Sequence, residues 1–152
     1  MNTREVDDAV RRFSEGSSCA QAILAAFGPL VGVESGLAHK MGAGLGAGVG
    51  RKQYLCGAVN AGAIILSLKY GSADHADAGA RERSYGAVGD FITAIESELG
   101  SSDCFELMGV LLDTPEDRQE ARSKGLFDTV CKNCVRTVAE YLARELDTNT
   151  RL

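Results

Sequence analysis

Tryptophan is absent and proline occurs only at Pro29 and Pro115, so long helices meet few interruptions. Histidine is as scarce: His39 and His75 stand far apart, make no metal motif, and read as surface residues. No apolar run approaches the ~18 residues that a membrane span needs. The start, MNTREVDDAVRRF, is charged where a secretory leader has a basic beginning followed by an apolar stretch. Arginine and lysine are scattered and the net charge is -5, which leaves no electrostatic footprint for nucleic-acid phosphates. No Ser-His-Asp or Cys-His signature points to hydrolysis. Outside one glycine-rich stretch there is no strand-like alternation, and no repeat of fixed period. The expectation is a single all-α domain over residues 1–152, cytoplasmic, with neither nucleic acid nor membrane as partner.

What remains is a chain of 152 residues, long enough to bury a core without a disulfide scaffold. It carries five cysteines. Without an export signal these read as reduced, metal-bound or redox-active, since cytosolic thiol pools keep ordinary disulfides open.

The helical pattern is legible along the chain. Val6, Ala9, Val10 and Phe13 recur at helical spacing after Thr3. Gly16-Ser17-Ser18 breaks that helix and offers a serine cap to a second, whose stripe of Cys19, Ile23, Leu24 and Phe27 ends at Gly28-Pro29. Ser35 can cap a short helix through Leu37 and Met41. Residues 54–70 are apolar nearly all round, with Gly71 as the stop, which describes a central buried helix. Residues 74–99 place Tyr85, Val88, Phe91, Ile92, Ile95 and Leu99 on one stripe, ended by Gly100. Ser101-Ser102-Asp103 caps a short helix holding Cys104, Phe105, Leu107 and Met108. Thr114-Pro115-Glu116-Asp117 starts another, stopped by Gly125. The last helix carries Phe127, Val130, Cys131, Cys134, Val135, Val138, Tyr141, Leu142 and Leu146, with a frayed tail after Asp147. With the shortest of these segments not all counted as separate elements, the expectation is a compact bundle of six or seven helices around the central one.

The cysteines share a placement. Cys19, Cys56 and Cys104 each fall in or just before the first turn of a helix, on its apolar side, where free backbone N–H groups and the macrodipole favour thiolate. Cys131 and Cys134, three apart, lie on one helical face. A site of four cysteines drawn from four helix ends follows, with one of the last two spare, and with Arg51 and Lys52 near Cys56 in sequence. A lone cysteine on an apolar stripe is ordinarily a small buried hydrophobe, but three repeats of one placement weaken that reading. Tyr54 and Tyr70 read as packing residues, and Glu96, Glu98, Glu116 and Asp117 as solvated faces and caps.

The glycines at 42, 44, 46, 48 and 50 give neither G-x-G-x-x-G nor a lysine directly after the closing glycine, so they are not a phosphate loop. They fit a strap whose backbone passes close to the site or lets helices touch, as a packed loop or a notched helix.

On Cys19-Ala20-Gln21-Ala22, the ladder into Cys56-Gly57-Ala58-Val59 and on to Leu68-Lys69-Tyr70-Gly71, Cys104-Phe105-Glu106-Leu107-Met108-Gly109, and Thr114-Pro115-Glu116 through Cys131 to Val135, the chain resembles the redox-active C_GCAxxG_C_C family. The resemblance covers nearly the whole chain and implies Cys19, Cys56, Cys104 and Cys131 as the matched set, with Cys134 an addition held as a reserve or resolving thiol. The final glycine of CGAxxG should fall at Ala61 but stands at Gly62. The leading expectation is an iron–sulfur cluster on Cys19, Cys56, Cys104 and Cys131, for electron transfer more than for oxidoreductase catalysis. Two alternatives are a metal-free thiol–disulfide reductant or sensor using the five cysteines, and a structural zinc or helical interaction module. The sequence names no redox partner, and an apolar helical surface around a glycine strap permits a homodimer.

Overall fold

A computed structural model describes residues 3–147; the expected fraying beyond Asp147 lies outside them. Within them are eight α-helices: α1 (Thr3–Ser14), α2 (Cys19–Phe27), α3 (Ser35–Met41), α4 (Gly57–Tyr70), α5 (Ala78–Leu99), α6 (Cys104–Met108), α7 (Pro115–Ser123) and α8 (Lys132–Leu146). The count passes the expected six or seven because the short α3 and α6, of 7 and 5 residues, stand as separate elements. No described helix is long and apolar enough to cross a membrane.

The central helix is α4. It packs against α2, α5 and α8, and α1 closes the bundle over α8 and α2. Ala58, Val59, Ala61, Ile65 and Leu66 of α4 are fully buried, which accounts for a pattern that is apolar nearly all round. The helix starts at Gly57, three residues later than the pattern from Tyr54 suggests. Backbone bonding is the reason: Cys104 N–H donates to the Tyr54 carbonyl (2.7 Å) and Cys56 N–H to that of Ser102 (2.8 Å), with an isolated antiparallel bridge between Leu55 and Asp103. Tyr54 and Leu55 are held extended against the entry to α6.

Local caps follow the sequence with one exception. Ser18 and Gln21 form a reciprocal capping box on α2, as do Thr114 and Asp117 on α7, and Asp103 accepts from Glu106 N–H at the start of α6. At α3 the cap is Glu34, whose carboxylate accepts from both Gly36 and Leu37 N–H. Ser35 instead donates to the Ala25 carbonyl at 3.0 Å and ties α3 to α2.

The shifted glycine has a clear place. A Cβ at Gly62 would lie 2.5 Å from Cζ of Phe91 and 3.2 Å from Cγ1 of Val138, so α4 meets α5 and α8 without a side chain there. Ala61 is fully buried beside it. At the far end of the same helix, Lys69 donates to the Glu145 carbonyl and Tyr70 donates its hydroxyl to the Glu145 carboxylate on α8.

A second, smaller core forms beside the bundle from Cys104, Met108, Leu112 and Ala121, with Leu126, Phe127 and Val130 against it. The five residues Phe127–Cys131 make a π-helical turn that runs directly into α8.

Gly62→Ala should lower stability by about 1–3 kcal/mol, the cost of overpacking a filled interior. Gly86→Ala, in α5 with open space around it, should raise stability by up to about 1 kcal/mol. Urea unfolding of the two variants checks the contrast; a Gly62→Ala protein as stable as the parent would mean that Phe91 moves freely.

Candidate thiol site

Residues 42–53 form the strap. Five consecutive residues of it, Ala47, Gly48, Val49, Gly50 and Arg51, have positive φ between 51° and 68°, and Gln53 follows at 56°. Left-handed backbone costs a residue with a Cβ about 1–2 kcal/mol, and four of these six carry one. The conformation is held by long-reach backbone bonds: Gly50 N–H to the Gly44 carbonyl (2.8 Å), Gln53 to Ala47 (3.0 Å) and Tyr54 to Gly48 (2.9 Å). At Gly48 a Cβ would sit 2.5 Å from both Gln53 Cα and Tyr54 N. The stretch is thus a close-packed loop and not a notched helix.

The strap walls a cavity of about 540 Å³ whose lining includes all five cysteines. Cys19 is the first residue of α2, Cys56 caps α4, Cys104 opens α6, and Cys131 and Cys134 enter from the π turn and the first turn of α8. The cavity lies where the two cores meet: Cys56 and Cys134 are buried in the main core with Cys19 packed on it, Cys104 belongs to the smaller one, and Cys131 packs against that. Gly57 is obligatory for this arrangement, since a Cβ there would lie 2.5 Å from Cys19 Sγ and 2.8 Å from the Leu45 carbonyl. The helix-end placement holds for Cys19, Cys56 and Cys104. It fails for Cys131, which sits inside continuous helical backbone because the π turn supplies the preceding residues.

All five cysteines are free thiols. Cys56 contacts the thiols of both Cys134 and Cys19, while Cys131 turns its thiol to Met108 Sδ at 3.4 Å. The Cys19 thiol is pushed well above its ordinary range, first by contact with Cys56 and then by burial, with only partial relief from the backbone N–H groups of Ala47 and Ala20. Cys56 is pushed up to about 12, chiefly by Cys134 and by burial. Cys104 also rises to about 12, through burial and then the proximity of Cys19 and Asp103. Cys131 rises through burial and the nearness of Cys19, Cys56 and Cys104. The expected pull of the helix ends towards thiolate is therefore outweighed: the Cys56 side chain makes no capping bond at the start of α4, and desolvation and neighbouring sulfurs win.

Two charged side chains line the cavity, Arg51 and Arg118. Arg51 was legible from its nearness to Cys56; Lys52 is not on the wall. Arg118 comes from α7, 62 positions after Cys56 in the sequence, and is fixed by donating to the carbonyls of Leu112 (3.0 Å) and Asp113 (2.7 Å). Gln53 is the other residue that no motif announced. Its buried amide donates to the Val110 carbonyl (2.9 Å) and accepts from Leu112 N–H (2.8 Å), and its own carbonyl accepts from Phe105 N–H at 3.3 Å. It clamps the strap to the loop between α6 and α7. The histidines stay outside: His39 pairs with Ser17 at 3.2 Å and His75 is exposed. Among the described residues no three His, Cys, Asp or Glu side chains are placed to hold one metal ion.

Gln53→Leu keeps the bulk but orphans a buried carbonyl and a buried N–H, so it should cost about 2–4 kcal/mol. Urea unfolding measures this, and a loss below about 1 kcal/mol would show that water replaces the amide. In metal-free protein the thiols also make stability fall with rising pH. Unfolded thiols release protons near 9.0 whereas Cys56 and Cys104 keep theirs to about 12, so above pH 9 the unfolded chain binds fewer protons than the folded one. Unfolding midpoints should drop from pH 9 upwards, and drop less in Cys104→Ser; identical slopes would remove Cys104 from the explanation.

No curated protein and no solved structure matches the chain. The profile of the family described as "Putative redox-active protein (C_GCAxxG_C_C)" matches residues 17–145, a span that takes in all five cysteines, the strap and both arginines of the cavity. The chain belongs to that redox-active family.

Proposed function

We propose that the cavity holds an iron–sulfur cluster on Cys19, Cys56, Cys104 and Cys131, and that the protein transfers electrons. The observation that carries this reading is the convergence of these four thiols, from four separate segments of the chain, on the lining of one largely apolar cavity. Four such groups cannot all ionise unaided in a buried space. A cationic iron core would relieve that repulsion and hold them as thiolates.

The donor set fits the group. Four thiols line one cavity of about 540 Å³, the all-sulfur donor set that iron–sulfur clusters take, and the touching sulfurs of Cys19 and Cys56 would part to receive it. When bound, a cluster supplies reversible one-electron chemistry. The chain's own residues hold and enclose the site. Gly57 lets Cys19 approach α4, the backbone N–H groups of Ala47 and Ala20 lie near the Cys19 sulfur, and Arg51 and Arg118 add positive charge to the wall.

The contacts of Cys56 with Cys19 and Cys134 favour a second reading, a metal-free thiol–disulfide reductant or sensor. Such chemistry works best from a thiol with a lowered pKa, and the site pushes Cys19, Cys56, Cys104 and Cys131 upward. Protein purified without air should contain iron and acid-labile sulfide and show sulfur-to-iron absorption that is lost in Cys56→Ser. Colourless protein free of both, with intact thiols, would overturn the cluster reading; zinc in one-to-one ratio would point to the structural module.

A further inference from the structure

The fifth thiol stands behind Cys56 and outside the matched set of four. Cys56 is the one thiol among the described residues that contacts two others, Cys19 on α2 and Cys134 on α8. The three differ in surroundings. Cys56 and Cys134 are buried in the main core, whereas Cys19 is less enclosed, beside the strained strap. Cys104 belongs to the smaller core, and Cys131 packs against that core with its thiol on Met108. Cys56 thus joins the other two thiols, both on or in the main core.

We infer that Cys19, Cys56 and Cys134 form a disulfide relay, through which oxidation of the emptied site by a hydroperoxide ends as a Cys56–Cys134 bond in the core. Cys19 attacks the hydroperoxide: its sulfur loses two electrons, the O–O bond breaks, and a sulfenic acid and water (or an alcohol) form. The Cys56 thiol condenses with that sulfenic acid, releasing a second water and giving a Cys19–Cys56 disulfide. Cys134 then attacks Cys56 Sγ, giving up its proton as it does so; the new bond joins 56 to 134, and Cys19 leaves and takes up the proton that Cys134 released. The net change is two thiols and one hydroperoxide to one disulfide and two oxygen-bearing products, with Cys19 regenerated. Raised thiols react slowly, so the relay protects ligands from irreversible oxidation once per chain and is not a peroxidase cycle.

The driving force of the last step is location. The α4–α8 contact is fixed by Gly62 against Val138 and by Glu145 against Lys69 and Tyr70, so a bond across it is shielded, while one to Cys19 lies beside the strap. The relay does not depend on which group the site holds.

Trypsin places each cysteine in a different peptide, cutting after Arg12, Lys40, Lys52, Lys69, Arg83, Arg118, Lys124, Lys132 and Arg136. The full chain, its iron and sulfide first measured, is exposed to hydrogen peroxide, alkylated in acid and mapped by mass spectrometry. The expected main product is Cys56–Cys134, replaced by Cys19–Cys56 in Cys134→Ser. A parent chain that stops at Cys19–Cys56, or pairs through Cys104 or Cys131, overturns the relay. If Cys134→Ser fails to fold by circular dichroism, Cys19→Ser decides: it should lose the Cys56–Cys134 bond over the same exposure, and unchanged bond formation overturns Cys19 as the entry. Absence of iron at the outset defeats the cluster reading alone, since the disulfide map is scored separately.

Discussion

A buried thiolate needs a positive partner, and that requirement governs this site. Five sulfurs share one cavity in a protein of net charge -5, and the charges on the wall are two arginines. Burial and neighbouring sulfurs raise Cys19, Cys104 and Cys131 together, and at Cys56 the contact with Cys134 and burial outweigh the opposing contact with Cys19, so without a cation the protonated state prevails. The helix ends are too weak to reverse this. A macrodipole contributes about 0.3–1 kcal/mol at an exposed position, less than one pKa unit, which is about 1.4 kcal/mol. Helix N-termini here aim sulfurs more than they ionise them.

The second constraint is mechanical. The cavity lies between two cores that share few contacts, so something must fix Cys104 and Cys131 relative to Cys19 and Cys56. Backbone bonds from Cys56 to Ser102 and from Cys104 to Tyr54 do part of this. Gln53 does the rest, binding the peptide groups of Val110 and Leu112 much as a strand neighbour would. Its φ of 56° belongs to the same strained run that begins at Ala47. The strain and the clamp are thus one device, in which unfavourable backbone turns an amide towards a loop 57 residues away. Strain of this kind persists only where surrounding bonds over-determine it.

Much of this was legible from residues. The helix spans, the central role of α4, the strap and the convergence of the cysteines follow from periodicity, caps and repeated placement. Three things were not. The start of α4 was read early because Tyr54 and Leu55 are apolar, and no local signal reveals that Ser102 and Cys104 claim their backbone groups. Cys131 was placed near a helix end because the π turn before α8 leaves no composition cue. Arg118 and Gln53 act through long-range packing, and in sequence each looks like an ordinary surface residue.

The two departures from the family pattern meet on one seam. Gly62 faces Val138 of α8, and Val138 is four residues from Cys134, hence on the same face of that helix. Cys56, the N-cap of α4, and Gly62 within it each meet a residue of α8, Cys134 and Val138. A side-chain-free position at 62 lets α8 approach at Val138, and the thiol one turn earlier on α8 touches Cys56. Ala61, fully buried, fills the neighbouring place without opening the contact again. Gly62 and Cys134, the two departures, thus both act at the α4–α8 contact, the one by leaving out a side chain and the other by placing a thiol against Cys56.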